Sequence, residues 1–523
     1  MAEMTQKILV VGAGCSGLAA LKECLAEGID DIVCFEMLDS LGGLWRYEEV
    51  QPNKQVHSSV YRNTVIDTSK EMMAYSDFPI PSHWPTYLHN KAIVKYFDMY
   101  AQQFDLMRHI QFNTTVMGMY PLGSAMNDSQ DAGLLHTGKW EVQYSQDGKT
   151  LTRVFDKIIV ASGHHWKPKM PHFDGMDEFT GTMMHSHYYR EAPPFRDQRC
   201  LVVGLGNSAV DVAVELSYHS KQVHVSSRSS AWLISRYGLN GKPTDQTLSR
   251  FYTMLPMLIR NALLRFVVWV QLGNLARFGL WPKHSPFSAH PTINGELPGR
   301  IGTGAVVMKN NVKRFFKLES DKTTQMVEFE DGTSVPIDTV VFCTGYEIGY
   351  PFLDAKSIVG LHDPGSNVVE LYKFVWPVYH DNIAFIGLFQ PLGAIIPGSE
   401  LQSRWVARLW TGKCRGLPGR VQRLEDIQKK QHRMKQRYVA SPRHTIQVDA
   451  GPYFDEIAEQ FGAAPNLWKL FFTDHYLWRQ LMFGCWNAHH YRLTGPGAWA
   501  GARQAILAAN SDPDFSQWDG LPN

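Results

Sequence analysis

The sequence predicts an α/β protein made of two doubly wound, Rossmann-like units, the second inserted into the first. Three observations predict it. One local plan, a β-branched strand, a glycine-rich turn, a helix and a second strand, occurs twice, some 190 residues apart. Two further apolar runs, DKIIVASGHH (156–165) and DTVVFCTGY (338–346), read as buried strands that end alike in glycine. Such ends suit close approach by a ligand or a crossing segment. Finally, the 523 residues exceed the ~250–300 at which a single core stops growing.

The first unit reads KILVV, GAGCSG, LAALKECLAEG and DIVCFE. Gly12, Gly14 and Gly17 make a GxGxxG turn, with Cys15 and Ser16 inside it. The first glycine permits the tight turn, the second lets a pyrophosphate reach the backbone, and the third lets the helix pack on the strand. Phosphates then meet the free N–H groups at the positive end of the helix. Glu36 ends the following strand, placed to accept hydrogen bonds from a ribose.

The second unit reads CLVV, GLGNSA, VDVAVELSYH and KQVHVSSR, a GxGxxA variant carried by Gly204, Gly206 and Ala209. Glu36 and Arg228 both lie 24 residues beyond the first glycine of their turn, so a base stands where the first unit has an acid. A carboxylate there repels a ribose 2′-phosphate, and a guanidinium grips one through paired hydrogen bonds. The first turn therefore suits FAD and the second NADPH. Ser227, beside Arg228, offers a further hydroxyl donor.

The predicted boundaries place residues 1–175 and 336–523 in a discontinuous FAD-binding domain and 176–335 in an inserted NADPH-binding domain. A mostly helical insertion spans about 233–300, and the aromatic-rich tail from about Ala440 reads as a cover over the FAD domain.

Within the insertion, Met254–Trp281 is strongly apolar but interrupted by Arg260, Arg265 and Arg277. It falls short of the ~18 apolar residues that a membrane span needs. Two readings stay open: a buried helix pair, or an amphipathic segment lying on a bilayer surface or framing a substrate entrance.

With 51 Lys+Arg against 50 Asp+Glu, the net charge of +1 provides no field for nucleic acid. The seven cysteines (Cys15, Cys24, Cys34, Cys200, Cys343, Cys414 and Cys485) are odd in number and form no CxxC pair. Neither a metal site nor a dithiol redox centre is indicated, and the pattern fits a reducing compartment. No GxSxG nucleophile turn occurs. No signal peptide is expected before Ile8, and no hydrophobic anchor at the C-terminal end.

Between the two turns lies FTGTMMHSHYY, which fits FxGxxxHxxxY through Phe179, Gly181, His185 and Tyr189. With the turns, it resembles the flavin-containing monooxygenases, class B flavoprotein oxygenases. The resemblance extends through LGGLW (41–45), TSKEMM (68–73), SDFPIP (76–81), HPTINGELPGRI (290–301), CTGY (343–346), QPLGAIIPGSELQSRW (390–405) and YRLTGPGAWAGARQAIL (491–507). The spelling is closest to animal members, and SKEMMAYSDFPIP leans toward the vertebrate subfamily linked with ketone oxidation.

The resemblance implies FAD, with NADPH as hydride donor, and dioxygen used to oxygenate small soft nucleophiles through a hydroperoxide on the flavin C4a. It marks Gly43, Leu44, Trp45, Thr68 and Gln390 as FAD contacts beside the first turn. It marks Asn207, Ser208, Ala209, Val210 and Asp211 as NADP contacts. His185 is expected to brace the link between domains. One departure is Asp67, where the family carries an asparagine beside flavin and nicotinamide. Asparagine donates and accepts, whereas an ionised aspartate only accepts, so Asp67 and Gln390 are the candidate catalytic residues.

Baeyer–Villiger oxidation of ketones or aldehydes and an NADPH oxidase releasing hydrogen peroxide remain as alternatives. Tyr189-Arg190, where dedicated Baeyer–Villiger enzymes tend to have Trp-Pro, argues against the first; Asp67 makes the second credible. The expected location is the cytoplasmic side, with peripheral attachment to the endoplasmic reticulum membrane through about 254–281 left open. The oligomeric state is also open, a homodimer included.

Overall fold

The computed structural model describes residues 6–51, 56–122, 138–238, 241–363 and 365–511. Its frame is a pair of five-stranded parallel sheets. The first sheet runs Ile383–Phe385, Lys157–Val160, Ile8–Val11, Ile32–Phe35, Ile110–Gln111. The second runs Val306–Lys309, Gln222–Ser226, Arg199–Val203, Thr339–Phe342, Thr182–His185. In each, the strand before the glycine turn is central, which sets the turn at the carboxyl edge where ligands of open α/β sheets bind.

Parallel sheets need both faces covered. In the second sheet, alternate residues divide between two cores. Cys200 and Val202 pack with Val210 and Ala213 of the helix Asn207–Leu216, and Leu201 and Val203 pack with Phe315, Val327 and Phe329 of an antiparallel layer. The helix Cys15–Ala26 of the first unit packs against Ile395–Trp410, where the Ser16 hydroxyl donates to Ser399 Oγ at 3.0 Å.

One boundary is corrected. The strand Thr339–Phe342, expected with the returning FAD-binding part at 336–523, hydrogen-bonds instead within the second sheet, between Arg199–Val203 and Thr182–His185. DTVVFCTGY and DKIIVASGHH are the same kind of apolar, glycine-ended strand. Nothing local tells which sheet such a strand joins. The chain returns to the first sheet only at Ile383–Phe385.

The two crossings between sheets are laced together. Lys167–Pro168 pairs antiparallel with Tyr346–Glu347, and Lys167 Nζ adds an ion pair to Glu347 at 2.7 Å.

The insertion is pinned at its base by a short parallel ladder, Leu233–Ile234 with Thr292–Ile293. Its main helix, Met257–Leu272, corrects the buried-pair reading: Arg260, Leu264 and Val268 face inward, while Leu258, Leu263, Phe266 and Trp269 are exposed. Arg260 is held inside by Asp449 at 3.6 Å and by the rings of Phe287 and Tyr252. No helix among the described residues is long and apolar enough to cross a membrane. Residues 512–523, on which the expectation of no C-terminal anchor rests, lie outside the described residues.

Candidate active site

At the first turn the glycines are required by close backbone approach. Gly12 has φ +98°, and a Cβ on it would lie 2.9 Å from the Ala161 carbonyl oxygen of the neighbouring strand's Ser-Gly end. A Cβ on Gly17 would sit 1.8 Å from the Gly12 carbonyl oxygen. On Gly14 it would meet only the Gly43 Cα, at 3.8 Å, so the space beyond Gly14 is open. Gly14 caps its helix without a side-chain hydrogen bond, leaving first-turn amides free for phosphate.

Glu36 is buried and accepts from the Ala13 N–H at 2.6 Å and the Leu38 N–H at 2.9 Å. Burial raises its pKa against these bonds. Two accepted bonds leave a carboxylate lone pairs for a ribose. Gly43–Trp45 forms a short turn whose Leu44 carbonyl accepts from Ser58 Oγ at 3.0 Å, bringing Gly43 over Gly14. Cys15 is neutral, its thiol pushed by burial up to about 11, and its carbonyl accepts from the Tyr75 hydroxyl at 2.7 Å. Thr68 is buried next to Ser69, which donates from its N–H and hydroxyl to Asp245 at 2.7 and 2.9 Å. Ser162 and Gly387 lie beside this turn, against Gly12 and Ser16. These residues fit a dinucleotide.

The second turn repeats the construction. Gly204 has φ +123°, and a Cβ there would lie 2.6 Å from the Cys343 carbonyl oxygen, the Thr-Gly end of the strand Thr339–Phe342. Gly206 caps the helix Asn207–Leu216, again with no side-chain bond. Ser208 is exposed in the first turn, and Arg228 is exposed two residues beyond the end of Gln222–Ser226, with Ser227 half-buried beside it. Ala209 is fully buried, so only its amide can face a ligand. Val210 turns its side chain into the core, and its N–H donates to Gly206 O at 3.1 Å.

Asp67 joins the two units. Its carboxylate accepts from Asn207 Nδ2 at 2.7 Å and from Arg236 at 2.8 Å. Burial, then the neighbouring Asp211, raise its pKa to about 7 against those two donors. Asp211 accepts from the Tyr61 hydroxyl at 2.6 Å and Asn294 Nδ2 at 3.0 Å, and burial raises it too. The structure thus brings Asp67 together with Asn207 and Asp211. It adds Asn294, which lies within HPTINGELPGRI but was not singled out there, and Arg236 and Tyr61, for which no local pattern in the sequence gave a signal. Gln390 lies on a separate two-stranded ladder with Gln447–Asp449, its N–H donating to Ile446 O at 2.8 Å.

The FxGxxxHxxxY residues form the seam between units. Phe179 packs on Phe315, and Gly181 leaves clearance for the Asp338 carbonyl, 2.3 Å from where its Cβ would be. His185 is enclosed, its ring against Tyr346 and its Nδ1 accepting from the His187 N–H at 3.1 Å. Burial, then His187, bring its pKa down to about 4, so it is neutral at physiological pH. The Tyr189 hydroxyl donates to Glu215 at 2.9 Å. Arg190 donates to the carbonyls of Glu48, Ser58, His187 and Tyr189, stitching the seam to the first unit.

Comparison with known proteins follows this geometry. The family model for flavin-binding monooxygenase-like proteins matches residues 5–513. Flavin-containing monooxygenase 5 of Cavia porcellus is 43% identical over 515 residues, covering 96% of this chain and 92% of the relative. S-allyl-L-cysteine S-oxygenase from Allium sativum superposes with a TM-score of 0.65 at 23% identity, covering 96% of this chain and 99% of that one. NADP+-bound cyclohexanone monooxygenase from Rhodococcus sp. Phi1 gives 0.61 at 16% identity, covering 87% of this chain and 97% of that one. The chain therefore belongs to the flavin-binding monooxygenase-like family and is an FAD-containing, NADPH-dependent monooxygenase.

Proposed function

We propose that this enzyme oxygenates the nitrogen or sulfur of small, soft nucleophiles, with Asp67 as the proton-holding group between the two nucleotide sites. FAD supplies the oxygen activation and NADPH the hydride, while the protein supplies orientation, charge and exclusion of water. The first turn and Glu36 hold the FAD end, and the second turn with Arg228 holds the NADPH end. Asn207, Arg236 and Asp67 form the bridge between them.

The observation that carries this reading is the Asp67 carboxyl, raised to about 7 between Asn207 and Arg236. Near neutral pH a large share of it is protonated and donates a hydrogen bond, as the family's asparagine does. Attack by a neutral amine or sulfide leaves the second oxygen in need of a proton, and a neutral carboxyl can hold that proton in place. Ketone oxygenation needs the oxidant deprotonated, and an ionised Asp67 beside it repels that charge while a neutral one offers it a proton, so neither form favours this reaction. The test is the ratio of oxygenated product to released hydrogen peroxide for an amine, a sulfide and a ketone between pH 6 and 9. Amine and sulfide coupling falls as pH rises through about 7, and Asp67→Asn flattens the profile. A ketone as the most tightly coupled substrate at pH 6 would overturn the assignment.

The exposed face of the insertion supports a second element of this reading, a peripheral seat on a lipid surface. Met254, Leu258, Phe266, Trp269 and Trp281 point outward, and Phe251 packs on Phe483 at 5.2 Å. That contact joins the face to exposed Trp468, Phe472 and Tyr476 of the C-terminal cover. Exposed apolar area of this extent on a folded chain marks an interaction surface.

A further inference from the structure

The C-terminal cover sends one arginine into the second turn. Arg443 belongs to the short helical turn Pro442–His444. That turn is anchored on one side by His444 Nδ1 at 3.0 Å from Val439 O, and on the other by Gln390 N–H donating to Ile446 O at 2.8 Å. The guanidinium lies over Gly206: its NH2 and NH1 are 3.0 and 3.1 Å from where a Cβ on that glycine would be. The second glycine of such a turn is kept bare so that a pyrophosphate can approach. At the first turn the matching direction, from Gly14, holds no side chain within 4 Å. At the second it holds a guanidinium.

Among the described residues that guanidinium makes no hydrogen bond or ion pair. Arg443 is exposed, so its unpaired guanidinium can be reached by a ligand at the second turn. Two imidazoles share the corner. Burial, then Arg443, bring His165 down to about 4 and His290 to about 3, so both are neutral near pH 7. The charge of the corner is therefore Arg443's. An unpaired guanidinium held over the bare glycine of the turn and beside free helix amides is a site for an anion that can take paired hydrogen bonds.

We propose that Arg443 grips the pyrophosphate of the dinucleotide seated on the Gly204–Ala209 turn, so that the C-terminal cover closes on the second unit through the bound nucleotide. This rests on that turn holding NADPH. Arg228 and Arg443 then divide the cofactor: one reads the adenosine 2′-phosphate, the other the pyrophosphate.

The test is titration of the FAD-loaded enzyme with NADP+ and with adenosine 2′-monophosphate, which lacks the pyrophosphate. Arg443→Ala is expected to weaken NADP+ about ten- to a hundredfold and leave the monophosphate unchanged. Arg443→Lys, with charge but no fork, should fall between. Arg228→Ala should weaken both ligands. Flavin absorbance and melting temperature, unchanged in Arg443→Ala, show that the fold is intact. If Arg443→Ala binds NADP+ as well as or better than the unaltered enzyme, or loses both ligands equally, the proposal is overturned. If Arg228→Ala leaves the monophosphate unaffected, the assignment of the turn itself fails, a result distinguishable from the others.

Discussion

At the residue scale, two positions equally spaced from their turns are the proposed determinants of cofactor choice. Glu36 is tied to the Ala13 N–H, and Arg228 stands exposed at the matching strand end. Arg228→Ala is expected to lower kcat/KM for NADPH about ten- to a hundredfold and leave NADH nearly unchanged, the size of a lost charged hydrogen-bond pair. Steady-state kinetics with both coenzymes check it, and equal losses would sink the role. The pair stands out in the sequence because both residues lie at fixed distances from a glycine motif. Arg236 does not. It reaches Asp67 from the head of the insertion, 169 positions along the chain, and only folding brings the two together.

Elements show where local rules bind and where they stop. A Cβ on Gly17 would overlap the Gly12 carbonyl at 1.8 Å, whereas Ala209 already occupies the matching place in the second turn. Gly17→Ala should therefore yield protein without bound flavin, read from its visible absorbance, while Ala209→Gly retains both cofactors with a stability loss of about 1 kcal/mol. The helix Met257–Leu272 is the opposite case. Its apolar character was plain in the sequence, but its orientation was not: Arg260 turns inward to Asp449, and Leu258, Phe266 and Trp269 turn outward. Hydropathy counts residues without saying which face has a partner. Co-sedimentation with liposomes should detect binding, and Phe266→Asp with Trp269→Asp should abolish it while flavin content and melting temperature stay the same. Retained binding in the double variant would assign that face another role.

Across the whole molecule, the C-terminal segment is locked to the first unit by a buried ionic cluster. Arg492 meets Glu23 at 2.5 Å, Glu400 at 2.8 Å and Asp77 at 3.1 Å, and Lys22 pairs with Glu23 and Asp77. The three carboxylates converge as metal ligands would, but Arg492 already pairs with one oxygen of each. Burial alone would raise Glu23; Arg492 and Lys22 override it and bring the pKa down to about 2. Removing one partner leaves buried charge uncompensated, so Arg492→Leu should cost about 3–5 kcal/mol in thermal or denaturant unfolding. The sign for pH follows. Glu23's pKa is lower folded than unfolded, so its contribution is present above about pH 4.5 and is lost as pH falls toward 2. Long-range charge pairing of this kind left no trace in the sequence, and neither did the sheet to which Thr339–Phe342 belongs.

The ribbon that laces Lys167–Pro168 to Tyr346–Glu347 has a mechanical consequence. Two independent straps would let one sheet twist, shear and slide against the other. Stitched side by side, they behave as a single leaf spring that bends about one line and resists the rest. Any swing of the nucleotide-bearing halves in turnover is then expected to bend this ribbon along one line, and a covalent staple across it should leave turnover unchanged.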